Sequence, residues 1–99
     1  MRHDEIKEVG IDDEGSLYVV PSTATFPYIY REAMQVGWNQ KENRLFSPKP
    51  REWTYLQWFQ QIVSAVKEQG CLLEVGKRTK WANVSTEIQT GISKWSVSE

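Results

Sequence analysis

The sequence predicts an α+β domain: a small antiparallel or mixed sheet of about five strands, covered by one main amphipathic helix and followed by a short C-terminal helix. Three stretches carry that prediction. "VGIDDEGSLYVVP" alternates apolar residues on both sides of a turn. "TYLQWFQQIVSAVKEQG" repeats them at helical spacing between two capping signals, and "CLLEV" is a short apolar run of strand length.

In chain order, the first element is a hairpin. Val9 and Ile11 alternate before "DDEG", and Leu17 and Val19 alternate after it, with a glycine able to take positive φ in the turn. Pro21 ends the second strand because it has no N–H for a ladder. Residues 1–4 are expected as a mobile tail ahead of this hairpin, within a single domain over 1–99.

Residues 26–38, "FPYIYREAMQVGW", carry two signals. Phe26, Tyr28 and Tyr30 alternate as a strand does, whereas "REAMQ" favours helix by intrinsic propensity. The strand is the expectation, because "WNQKENRLFSP" reads as the return of a second hairpin across a polar four-residue loop.

The main helix is expected over residues 55–69. Thr54 as N-cap places Gln57 at the third helical position, the capping-box pattern, in which each side chain satisfies a backbone donor of the other. Trp53 before the cap and Trp58 at the fourth helical position have the spacing of a hydrophobic staple. Leu56, Trp58, Phe59, Ile62, Val63, Ala65 and Val66 fall on one half of the circumference, and Gly70 stands where a left-handed cap is expected. "CLLEV" follows as a strand buried on both faces. After the basic loop "GKRTKW", Ser85 caps a final short helix, in which Ile88, Ile92 and Trp95 share a face and Gly91 lowers the intrinsic stability.

Composition narrows the function. The apolar share of 39% and charged share of 25% suit a soluble globular protein, and no apolar run approaches the ~20 residues of a membrane span. "MRHDEIKEVG" has no apolar segment of the secretory type, and a lone Cys71 fits a reducing compartment, so a cytoplasmic location is expected. The net charge of −1 creates no global pull toward nucleic acid. Charge is nevertheless uneven: residues 1–15 hold six acids against two bases, and residues 31–51 hold five bases against two acids.

One His and one Cys, 68 positions apart, cannot build a zinc shell, and "DDEG" lacks the ligand spacing of an EF-hand, so no metal or cofactor is expected. Cys71 opens an apolar strand, where burial leaves a thiol inert. No nucleophile elbow, phosphate loop or dinucleotide fingerprint occurs, and no pair of acids stands out, so no catalytic residue is assigned and no enzyme activity expected. Lys77, Arg78 and Lys80 precede Trp81, as Lys49 and Arg51 precede Trp53, an interleaving that single-strand nucleic-acid binders use. The acidic N-terminal third and the staple role of Trp53 weigh against that partner.

The surplus aromatics fit contact with protein better. Five Trp in 99 residues exceed what so small a core can enclose. Trp38, Trp81 and Trp95 are the interface candidates, since indoles contribute large contact area at low entropic cost. Each can equally cap the edge of the core. The expected partner is a second copy, as a homodimer or higher oligomer, or another protein. The alternative function is a small-ligand binder or minor enzyme with a cleft at a dimer interface. There Tyr28, Tyr30 and Arg31 supply aromatic walls and a cation, unless they only pack on a strand face.

The run of "GSLYVVP" through "GWN" and "RLFSPKPREW" into "LQWFQQIVSAV" resembles small bacterial proteins, some carried on mobile integron gene cassettes. The likeness covers about residues 11–84 and implies a compact α+β domain, often self-associating, with no assigned activity. Toxin-neutralising immunity proteins are similar in size and composition, but no immunity motif matches. Neither group supplies functional residues to carry over.

Overall fold

The structure, a computed structural model, describes residues 2–97. Strands β1 (Arg2–Ile11) and β2 (Leu17–Pro21) form the first hairpin, and β3 (Gly37–Asn39) and β4 (Arg44–Phe46) the second. Helix α1 (Tyr55–Glu68) leads into β5 (Cys71–Glu74), then β6 (Lys80–Ala82) and helix α2 (Thr86–Val97). Five strands run in the spatial order β3-β4-β2-β1-β5, and β6 also pairs with β1. β1 pairs antiparallel with β2 but parallel with β5 and β6, so the sheet is mixed.

The first hairpin forms as its pattern predicts. Ile11 faces Leu17, Val9 faces Val19, and Gly15 closes the turn at φ +85°. Asp12 caps that turn, its carboxylate accepting from the N–H groups of Glu14 and Ser16. Residues 2–4, expected as a mobile tail, are instead the start of β1. Asp4 is buried and accepts from the Thr23 and Ala24 N–H groups and the Thr23 hydroxyl, each at 3.1 Å. One carboxylate thereby satisfies two backbone donors in the segment that follows β2.

The second hairpin has the expected four-residue loop over 40–43, with Asn43 at φ +53°. The strand expected before it is replaced by turns and a 3-10 turn at Ile29–Arg31. Phe26, Ile29, Ala33 and Val36 are the residues buried there, a spacing of three and four rather than two. Alternation of Phe26, Tyr28 and Tyr30 was the misleading signal: only Phe26 points inward.

Helix α1 keeps the predicted caps and staple, ends at Glu68 rather than at 69, and leaves Leu56 only partly buried. Gln57 N–H donates to Thr54 Oγ1 at 3.2 Å and Thr54 N–H donates to Gln57 Oε1 at 2.8 Å, both halves of the capping box. Gly70 takes φ +84° just past the helix, a left-handed backbone that glycine adopts without a Cβ penalty. Trp58, Phe59, Ile62, Val63, Ala65 and Val66 are buried. Of these, Phe59, Ile62, Val63 and Val66 each contribute about 1.5–3 kcal/mol. Tyr55 reaches across to donate its hydroxyl to the Gly15 carbonyl at 2.8 Å, tying the helix to the hairpin turn. In α2, Ser85 caps through the Ile88 N–H and Ile92 is fully buried.

β5 and β6 correct two expectations. β5 lies on the β1 side of the sheet and buries only Cys71 and Leu73, so it is a half-buried strand rather than one enclosed on both faces. The basic "GKRTKW" stretch is not all loop, because Lys80–Ala82 pairs with Glu8–Gly10. β5 and β6 therefore act as one interrupted strand along β1. At the break, the Thr79 hydroxyl donates to the Ile6 carbonyl at 2.6 Å and accepts from the Gly76 N–H at 2.9 Å, replacing the missing ladder bonds.

The two faces of the sheet are built differently. The inner face, carrying Val9, Leu17, Val19 and Leu45, packs with α1 and α2 into the core. On the outer face, Gly10, Tyr18, Phe46 and Gly37 pair in register across β1, β2, β4 and β3. Both glycines leave space that their partner rings fill. A Cβ on Gly10 would overlap the Tyr18 ring, and one on Gly37 would lie 2.5 Å from Phe46 Cζ. The Arg44 guanidinium stacks 4.0 Å from the Tyr18 ring centroid, and the Tyr18 hydroxyl donates to Glu8 Oε2 at 2.5 Å. Burial, then the Glu8 carboxylate, pushes the Tyr18 phenol up from 10.0 to about 12.

Candidate functional site

The sequence "SPKPREW" sets a stiff approach to α1. Pro48 and Pro50 fix φ and remove two backbone donors, and the strap bends at residues 51–53 before it enters the helix. Where it crosses in front of α1 it leaves a half-open cleft of about 570 Å³. Gln35, Pro48, Lys49, Arg51, Glu52, Trp53 and Trp58 line it. That volume falls within the range of small-molecule sites.

Two indoles form its apolar part. Trp53 and Trp58 lie 4.7 Å apart between ring centroids, tilted by 48°, so the predicted staple is present. It leaves Trp53 42% exposed, whereas Trp58 is 8% exposed. The Trp58 Nε1–H is buried without an acceptor. An orphaned buried donor costs about 1–3 kcal/mol, which makes this the least satisfied spot in the described core. Two cations face one carboxylate in the lining, and among the described residues neither Lys49 nor Arg51 has an ion-pair partner. The Lys49 stem packs over Gly15, its Cε 3.4 Å from where a Cβ would stand.

The segment that ends at the Gln35 wall carries the most exposed apolar residues. Met34 is 94% exposed, and Tyr28 and Tyr30 are more than half exposed, their rings 6.4 Å apart edge to face. Arg31 sits 5.0 Å from the Tyr28 ring centroid. Tyr28, Tyr30 and Arg31 thus form one surface cluster, held to the end of α1 by Gln69, whose amide donates to the Tyr28 carbonyl and to Glu32. They do not line the cleft.

The three interface candidates are dispersed. Trp38 is half-buried on β3, edge-on to Phe26 at 6.0 Å, with its Nε1–H donating to Gln40. Trp81 is half-buried on β6 opposite Val9, and Trp95 on α2 meets Phe59 edge-on at 5.8 Å. Strands β4, β2 and β1 separate Trp38 from Trp81, a span of about 19 Å at ordinary strand spacing. All three pack against the core margin. Trp53 and Met34 are what the sequence reading passed over. Trp53 was absorbed by its staple role, although a residue before the cap can be covered on one side only, which was the available signal.

Cys71 is buried, and the described residues hold no group of three or more His, Cys, Asp or Glu placed for a metal ion. No helix among them is long and apolar enough to cross a membrane.

Comparison with known proteins adds kinship. The family model described as Integron Cassette Protein Hfx_Cass5 matches residues 4–79. A solved structure, "Structure from the mobile metagenome of North West Arm Sewage Outfall: Integron Cassette Protein Hfx_Cass5", is 43% identical, with 98% of each chain covered and a TM-score of 0.50. The likeness to that protein therefore extends past Thr79 into β6 and α2. A search of curated proteins found no match.

Proposed function

This chain belongs to the integron cassette protein Hfx_Cass5 family, and from that premise we propose that it is a non-enzymatic binding protein of the bacterial cytoplasm, acting through contact with protein. The observation that carries this reading is the exposure of Met34, Tyr28, Tyr30 and Trp53 on one segment and the strap beside it. Large apolar side chains left in water cost stability and reward a partner that covers them. Tyr and Trp supply rigid contact area there, and Met adapts to its neighbour. The partner is a second copy of the chain or another protein. Neutralisation of a toxin in the manner of immunity proteins is one form of this function.

Protein is favoured over nucleic acid for a geometric reason. Trp81, the ring among the bases of "KRTKW", is half-buried against the core, which reduces the ring area left for stacking.

The test uses a photo-crosslinking amino acid at Met34, with Lys7 on β1 as the control position, in the cell that carries the gene. Crosslinking to one discrete protein from Met34 and not from Lys7, with the product identified as the chain itself or another polypeptide, is the expected outcome. A monomeric mass by light scattering together with equal or absent crosslinking at both positions overturns the reading.

A further inference from the structure

We propose that the cleft between the proline strap and α1 is a binding site for a small flat anion: an aromatic or heteroaromatic ring carrying a carboxylate or phosphate. Its volume of about 570 Å³ accommodates such a molecule. Trp53 lines the cleft and is 42% exposed, with the Trp58 indole beside it at 4.7 Å, so aromatic surface is available to a flat ligand ring. Arg51 and Lys49 stand on the same lining with no ion-pair partner among the described residues. A guanidinium reads carboxylate and phosphate alike, through paired N–H donors. Glu52 offsets one of the two positive charges, and the remaining excess of one favours an anion over a cation.

The site is also held in shape before a ligand arrives. Pro48 and Pro50 restrict the strap, and the Lys49 stem is seated on Gly15. That glycine is itself fixed, since its carbonyl accepts from Tyr55 on α1 at 2.8 Å. A strap so constrained loses little conformational freedom on binding, which favours affinity for a small ligand. Gln35 adds an amide that donates or accepts at the far wall. Trp53 is common to this site and to the protein contact, which rests otherwise on Met34 and the tyrosines and is probed at Met34.

The Trp58 indole N–H, at the cleft and without a competing acceptor, is the reporter. It gives one indole cross-peak in a nitrogen–proton spectrum, assigned by its loss in Trp58→Phe. Four probes are titrated: indole-3-acetate and adenosine 5′-monophosphate as the two anion types, indole-3-acetamide as the neutral match, and acetate as the anion without a ring. At least one of the ring anions is expected to shift the Trp58 signal saturably. The amide and acetate are expected to bind about tenfold more weakly or worse, the loss of one good charge-assisted or stacking contact. The double variant Lys49→Gln/Arg51→Gln, at exposed positions where folding is not at stake, is expected to weaken the ring anion at least about tenfold. Which ring anion binds separates carboxylate from phosphate as the preferred group. No saturable shift with either ring anion, equal binding of the amide, or unchanged binding by the double variant overturns the proposal. A Met34 crosslink without ring-anion binding leaves the protein-contact reading standing alone, and the converse leaves the cleft alone.

Discussion

The two faces of the sheet reach the same end, exclusion of water from the ladder, by opposite means. On the inner face, aliphatic side chains from β1, β2 and β4 meet a second layer, α1 and α2, and burial is shared among many contacts. On the outer face there is a single transverse row, in which two rings lie against two glycines of their neighbouring strands. In the first arrangement a lost side chain leaves a hole that many close-packed neighbours feel. The second depends on the missing Cβ at two positions, so its sensitivity is concentrated at those residues. Burial fraction alone hides this difference: Tyr18 on the outer face is 7% exposed, close to Trp58 inside.

Three substitutions sharpen the contrast. The largest effect is expected on the inner side, where Phe59→Ala removes a fully buried ring and the edge contact to Trp95. Unfolding in urea should show a loss of about 3–5 kcal/mol. A loss below about 1.5 kcal/mol would mean that the two layers close around the hole.

Gly10→Ala tests the outer row. The new methyl displaces the Tyr18 ring from its seat, and with it the Arg44 stack and the bond to Glu8. About 1–3 kcal/mol should disappear. Were stability unchanged, the ring would have somewhere else to go, and the contrast between the faces would vanish.

The smallest effect is expected from Tyr18→Phe, which keeps the ring and deletes the hydroxyl. At neutral pH it should cost about 1 kcal/mol, because water can take over at half-exposed Glu8. The sharper reading is at high pH. The folded-state phenol titrates near 12 against 10.0 for an ordinary tyrosine, so the fold favours the neutral form. That contribution is whole below pH 10.0 and is lost as the pH rises toward 12, where the unfolded chain ionises first. The gap between the two proteins should therefore narrow over this interval in urea titrations at stepped pH. A constant gap would detach the hydroxyl from the buried row.

What was legible in the sequence follows from the range of the interactions. The capping box, the staple, the left-handed Gly70 and the first hairpin are all set by neighbours within a few residues, and each appeared where its pattern placed it. Residues 26–36 were misread because three alternating aromatics outweighed a quieter period of three and four at Phe26, Ile29, Ala33 and Val36. Pro27 within that stretch already lacked the donor a ladder needs. β6 was not legible: three residues with a lysine at one end become a strand only because Glu8–Gly10 of β1 offers them an edge. The cleft was equally hidden. Its lining joins Gln35 to the strap and to α1, and no local pattern announces that meeting. The sequence did place the prolines, bases and indoles of the strap, but it presented them as an approach to a helix.

The gap between β5 and β6 has a consequence for the chain's behaviour in a crowded cell. An unbroken strand running beside the whole of β1 would offer a long row of free amides and carbonyls to any other extended polypeptide. Divided into pieces of four and three residues, with Thr79 turning its hydroxyl inward at the seam, that flank is too short to template a neighbour. The interruption, with Lys77, Arg78 and Lys80 at and beside it, thus guards a small sheet against fibril-like stacking.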